Sequence, residues 1–116
     1  MSPRERPDRG RVPLWSLTPV PAPDRGVVIL AEGEFDIAAV PDVHRTIRRA
    51  AGTQPPPARV VIDLSRVTFL DAAMLNALVS ERQYLLSADG DLVVTGVTNW
   101  SMRIINICGL RRTLGL

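Results

Sequence analysis

The chain has 116 residues and a mass of 12.7 kDa, with 46% hydrophobic and 22% charged residues, the proportions of one soluble globular domain. All 14 basic residues are arginine, so Schiff-base, phosphate-loop and acyl-carrier lysines are excluded. With only two Phe, two Trp and one Tyr, the core must be largely aliphatic, and kinases, P-loop enzymes and aromatic-stacking nucleic-acid binders are disfavoured.

The formal charge of +2 resides in the first eleven residues, where Arg4, Arg6, Arg9 and Arg11 outnumber Glu5 and Asp8. Composition marks residues 1–11 as a flexible Arg/Pro-rich leader and 12–116 as the folded domain, because the leader has too little apolar surface to order itself. The remainder is neutral, which argues against nucleic acid as a partner, since that affinity needs clustered phosphate contacts. No apolar run reaches the ~18 residues of a membrane span, and the start has no apolar signal-peptide segment. A cytoplasmic, soluble protein without membrane contact is expected.

In chain order, "VPLWSLTPV" (12–20) predicts an edge strand. Trp15 and Leu17 alternate with Ser16 and Thr18, and Pro13 and Pro19 lack the donor that an inner strand needs. Asp24, Arg25 and Gly26 signal a turn, and "VVILAEG" (27–33) predicts a second strand paired with the first as a hairpin. Val40, Val43, Ile47 and Ala50 then lie on one face of a helix with Pro41 in its first turn and Gly52 at its end. "RVVIDL" (59–64) has the β-branched run of a strand buried on both faces.

A second helix is predicted from Ala72 to Ser87, capped by Asp71, with Leu75, Leu78, Val79, Leu85 and Leu86 as its apolar face and Arg82 interrupting it. "LVVTGV" (92–97) predicts another buried strand. A third helix covers about 100–108, opened by Thr98 or Asn99 and stopped by Gly109, and "LRRTLGL" reads as a short last strand. The fold class is therefore α/β, a mixed four- to five-stranded sheet with helices packed on it.

Chemistry motifs are missing. The lone Cys108, among Ile104, Ile105, Ile107 and Leu110, is expected to be a buried apolar thiol, and His44 a solvated surface residue. One His and one Cys make no metal site, and no cofactor is expected. Asp63 in a strand and Asp71 as a cap are poor candidates for an acid/base pair, so a binding module rather than an enzyme is favoured.

Four segments together resemble a known family: "GEFDI" (33–37), "VVIDLSRVTFLDAAML" (60–75), "GDLVVTGVTNW" (90–100) and "ICGLRRTL" (107–114). They resemble STAS domains, in particular the bacterial anti-sigma factor antagonists. The resemblance implies the STAS fold and a partner-switching role. Such a domain binds an anti-sigma factor, usually a serine kinase of the GHKL type, and its partner phosphorylates a serine at the start of the second helix. Phosphate there adds about −1.5 to −2 charges to the contact surface.

The partner-binding residues implied by the resemblance are Asp36, Asp71, Ala72, Ala73, Met74 and Leu75. The alignment places Ala72 at the phosphoserine, so phosphorylation at that position is impossible. Three consequences compete: a constitutively binding antagonist, a scaffold subunit of a larger sensory assembly, or a phosphosite moved to Thr68, Ser65 or Ser80. Thr68 and Ser65 read equally as ordinary turn residues. Met74, one position off the Leu75/Leu78 face, either fills the core or joins Ala72 and Ala73 in an exposed apolar patch. Trp100 stands where the family often has proline. A homodimer is compatible with either role.

Overall fold

The computed structural model describes residues 14–116, so the predicted leader, Val12 and Pro13 lie outside the described residues. The elements are β1 (Trp15–Ala22), β2 (Gly26–Phe35), a 3-10 turn (Ile37–Ala39), α1 (Val40–Gly52), β3 (Arg59–Leu70), α2 (Ala72–Ser87), β4 (Asp91–Thr95) and α3 (Asn99–Ile107). They build one sheet in the order β1-β2-β3-β4. The β1/β2 hairpin is antiparallel, while β2/β3 and β3/β4 are parallel and connected through α1 and α2.

The core lies on one side of the sheet. Val27, Ile29 and Ala31 of β2, Val60, Ile62 and Leu64 of β3, and Leu92 and Val94 of β4 alternate inward. They meet Val43, Ile47 and Ala50 of α1 and Met74, Leu75, Leu78 and Leu85 of α2. A strand places successive side chains on opposite faces, so one period-2 set meets the two period-3.6 stripes. The opposite face carries Val28 and Val93, both half-buried, with Leu30 exposed. Val61 is buried there between them by register. The expectation that β3 is buried on both faces therefore holds only for Val60–Ile62, because Asp63 is half-exposed and Ser65 exposed.

β1 is an edge strand, as its prolines require, with Trp15 and Leu17 packed against the core and Ser16 and Thr18 exposed. Trp15 Nε1 donates to Asp42 Oδ2 at 3.0 Å and ties this edge to α1. β3 runs six residues beyond the predicted Leu64. Its extension continues the ladder with β2 through two register shifts, after Leu30 and after Gly33. Gly33 sits at the second shift with φ +100°, and a Cβ there would lie 2.1 Å from the Leu14 carbonyl oxygen. Only glycine fits both conditions.

α2 matches its predicted limits, but two of its residues differ from expectation. Glu81 is buried at 1% exposure, although charged residues are rarely found there. Its Oε1 lies 2.7 Å from His44 Nδ1, and its Oε2 accepts from Arg48 Nε at 2.7 Å. His44 is thus not a solvated residue but a half-buried partner in the α1–α2 seam. The Arg48 guanidinium stacks 3.5 Å above the Tyr84 ring. Its hydrogen bond with Glu81 raises its pKa above the usual guanidinium range.

Leu86, placed on the apolar face by periodicity, is 45% exposed, because that face drifts away from the core at the helix end. Arg82 leaves the core outward, donating to the Thr113 carbonyl at 2.9 Å and standing 3.6 Å from Asp91. It thereby anchors the chain after α3.

That last segment forms no strand. Leu114 N–H donates to Leu110, Gly115 to Arg112 and Leu116 to Arg111, so the backbone satisfies itself locally instead of joining the sheet. Leu114 inserts into the core, with Leu110 and Leu116 half-buried against it. Cys108 is exposed, correcting the expected buried thiol: α3 turns Ile105 inward and leaves Ile107 and Cys108 outside. Among the described residues, no helix is long and apolar enough to cross a membrane.

Candidate functional site

The site follows from one register pair. Phe35, the last residue of β2, lies opposite Leu70, the last residue of β3. Asp36 and Asp71 each come one residue later, so two parallel strands deliver two aspartates side by side at the C-terminal end of the sheet, where open α/β sheets place their binding sites. Asp36 accepts from the Ala38 amide at 2.9 Å and caps the 3-10 turn. Asp71 accepts from the Met74 amide at 3.1 Å and caps α2. Both have extended backbones, as N-caps require.

The first turn of α2 divides by exposure. Ala72 is exposed and Ala73 half-buried, so both stand on the surface beside Asp71. Met74 and Leu75 are fully buried in the core. The reading of Met74 as part of an exposed patch is therefore corrected. The helical turn from Asp71 to Leu75 points Met74 and Leu75 together at the sheet, and neither has surface to offer a partner. Residue 72 presents a methyl group at the exposed end of a capped helix.

Three hydroxyls remain nearby. Thr68 is exposed and sits in β3 rather than in a turn, as the extra residue of the shift between Val67 and Phe69. Ser65 is likewise exposed at the first shift, where its amide donates to Asp63 Oδ1 at 2.9 Å. Ser80 is exposed on α2. Asp63 and Asp71 are thus each engaged with backbone amides.

Sequence reading missed an apolar group around this turn. Phe69, two residues before Asp71, is 39% exposed, and Trp100 of α3 is 42% exposed. Their ring centroids lie 5.9 Å apart with planes tilted by 38°. Ile37, directly after Asp36, is 73% exposed. The signal was available in Phe69 and Ile37, large apolar residues at positions the strand and turn patterns assign to solvent. Pairing Phe69 with Trp100 was not, because they come from different elements. The outcome is a surface of two capped carboxylates, a methyl-bearing helix start and exposed apolar side chains. Among the described residues, no group of three or more His, Cys, Asp or Glu is arranged to hold a metal ion.

The family model for the Mlab, STAS domain matches residues 19–116. No curated protein matches the sequence. Among solved structures, an anti-sigma factor antagonist from Mycobacterium paratuberculosis is 29% identical over 85% of this chain and 81% of that one, with a TM-score of 0.66. The STAS domain of an antisigma-factor antagonist from Rhodobacter sphaeroides is 26% identical over 72% of this chain and 87% of that one, with a TM-score of 0.56. The Bacillus cell fate determinant SpoIIAA in its phosphorylated form shares the fold at 19% identity, covering 86% of each chain with a TM-score of 0.63. The order β-β-α-β-α-β-α, the Asp-capped α2 and the match over most of the chain agree, and the protein belongs to the STAS domain family, with a domain that resembles anti-sigma factor antagonists.

Proposed function

We propose that this protein is an anti-sigma factor antagonist of the cytoplasm that binds an anti-sigma factor of the serine-kinase type and has no catalysis of its own. The contact is formed by Asp36, Asp71, Ala72 and Ala73 at the start of α2. Met74 and Leu75 act from beneath by fixing the turn. Binding releases a sigma factor and so regulates transcription.

One observation carries the reading: α2 is capped by Asp71 and opens on exposed Ala72, one residue after the strand pair that also leads into Asp36, while residue 72 has no hydroxyl. The binding surface is kept and the switch is absent. The domain therefore binds constitutively, in the state that corresponds to an unphosphorylated antagonist. Thr68 is too exposed and too near the turn to be ignored as a substitute site, but its place in a strand shift favours a structural role.

Affinity purification from the native cell with mass spectrometry identifies the partner and any modified residue. Calorimetry with that partner then compares wild type with Ala72→Asp. An unpaired charge enclosed in the contact costs about 1–3 kcal/mol, so affinity should fall about 5- to 160-fold. Unchanged affinity would remove the α2 start from the interface. Ala72→Ser should restore phosphorylation by a kinase-active partner.

A second reading, a scaffold subunit or homodimer, has one observation in its favour: among the described residues, the sheet face bearing Val28, Leu30, Val61 and Val93 has no helix over it. Light scattering separates the two, since a stable assembly of the isolated protein favours the scaffold.

A further inference from the structure

We propose that the outer face of α3, with the turn after it, docks an acidic segment of a protein partner, through contacts that need neither Ala72 nor the capped start of α2. From Leu92 to Leu116 the chain contains Arg103, Arg111 and Arg112 and no Asp or Glu. All three arginines are exposed, and none forms an ion pair among the described residues. The domain from residue 12 on is neutral overall, so this local excess of three positive charges is a segregation, not a background.

Apolar surface lies beside Arg103. Arg103 and Ile107 stand at i and i+4, one stripe of the helix. Ile107 is 75% exposed, more than any other large apolar side chain among the described residues. Asn99, Met102, Arg103, Asn106 and Ile107 line a shallow depression of about 490 Å³. An apolar anchor beside guanidinium groups is the composition of an interface centre, where arginine forks bind carboxylates in two-point contacts.

The depression also says what the occupant is. Asn99 and Asn106 are two of its five lining residues. Lipid hydrocarbon would leave both without hydrogen-bond partners, whereas a peptide supplies donors and acceptors from its own backbone. Three arginines are likewise few for a duplex, which is held by many phosphate contacts. An acidic peptide with one or two apolar anchors fits the charge, the Ile107 surface and the amides together.

The test uses the full chain panned against a random peptide library on phage, with no anti-sigma factor present. Enriched peptides should carry Asp or Glu beside Leu, Ile, Phe or Trp. Synthetic copies should lose about tenfold or more in affinity for Arg103→Glu and for Ile107→Ser. Both positions are exposed, and circular dichroism checks that each variant stays folded. Repeating the selection on Arg103→Glu should shift enrichment towards basic peptides, an outcome that a purely structural Arg103 would not produce. Ala72→Asp should keep the peptide affinity of wild type, so failure of the α2 reading and failure of this one appear in different measurements.

Neutral or basic peptides selected by wild type, or acidic peptides indifferent to Arg103→Glu, would overturn the proposal. So would Arg103-dependent binding to vesicles of phosphatidylglycerol and phosphatidylcholine without acidic-peptide enrichment, which would make the surface a lipid contact.

Discussion

Replacing Glu81 with Gln tests the seam between α1 and α2. Wild-type Glu81 accepts two charge-assisted hydrogen bonds at 2.7 Å, one from each of two α1 side chains, while only 1% exposed itself. The amide is isosteric and retains one oxygen, which serves Arg48. His44 must then reverse its tautomer and accept from the new NH₂. The packing survives, and the loss is confined to the charge contribution of two bonds, about 1–2 kcal/mol.

Glu81→Ala removes the packing as well. A buried ion pair broken at one end usually costs about 3–5 kcal/mol, because the remaining charge is stranded. Here His44 and Arg48 are 37% and 47% exposed and regain water, so the lower half of that range is expected. Arg48 also keeps its stack on Tyr84. A guanidinium raised above its usual range stays charged and contributes fully at all lower pH, fading only in strong base, so a measurement at neutral pH captures the whole effect.

Urea unfolding followed by circular dichroism gives both differences directly. For a domain of this size about 1 kcal/mol corresponds to a fall of about 4–8 °C in melting temperature. If Glu81→Gln matched wild type within about 0.3 kcal/mol, the carboxylate would be stabilising nothing and the seam would rest on apolar packing alone.

Met74→Ala should destabilise the fold by about 2–5 kcal/mol, whereas Ala72→Asp should leave it unchanged or about 0.3–1 kcal/mol more stable through the helix dipole; chemical unfolding of the pair separates a core residue from a surface one. Native Cys108 should react with a thiol reagent nearly as fast as in denaturant, and protection would contradict its exposure. Gly33→Ala should cost more than about 2 kcal/mol or abolish soluble expression, because the new methyl meets the Leu14 carbonyl and the backbone is left-handed there. A wild-type melting curve for Gly33→Ala would show that the β1–β2 edge yields without strain.

Much of the site was legible because it is made of local signals. Asp71 followed by an aliphatic helix pattern marks an N-cap in any context, and α2 begins where that pattern begins. Asp36 in "GEFDI" is similarly local. Its closeness to Asp71 came through the family resemblance and is realised by the Phe35–Leu70 pairing. Met74 was ambiguous for a physical reason. A residue one step from the defined face sits at about 100° around the helix, and whether that direction is covered depends on what packs there.

By itself the sequence determined the α/β class, the hairpin start, the limits of α2, the absence of a hydroxyl at residue 72 and the neutrality of residues 12–116. These depend on residue type, spacing and charge, which need no neighbour to be read. Tertiary structure alone decided that Glu81 is buried between His44 and Arg48, that Phe69 meets Trp100, that Cys108 faces outward and that the last segment caps the core with Leu114 instead of adding a strand. Each is a contact between elements distant in the chain or a face left uncovered by them. The free energy of such a contact depends on which surfaces are brought together and stripped of water, a property of the packed whole.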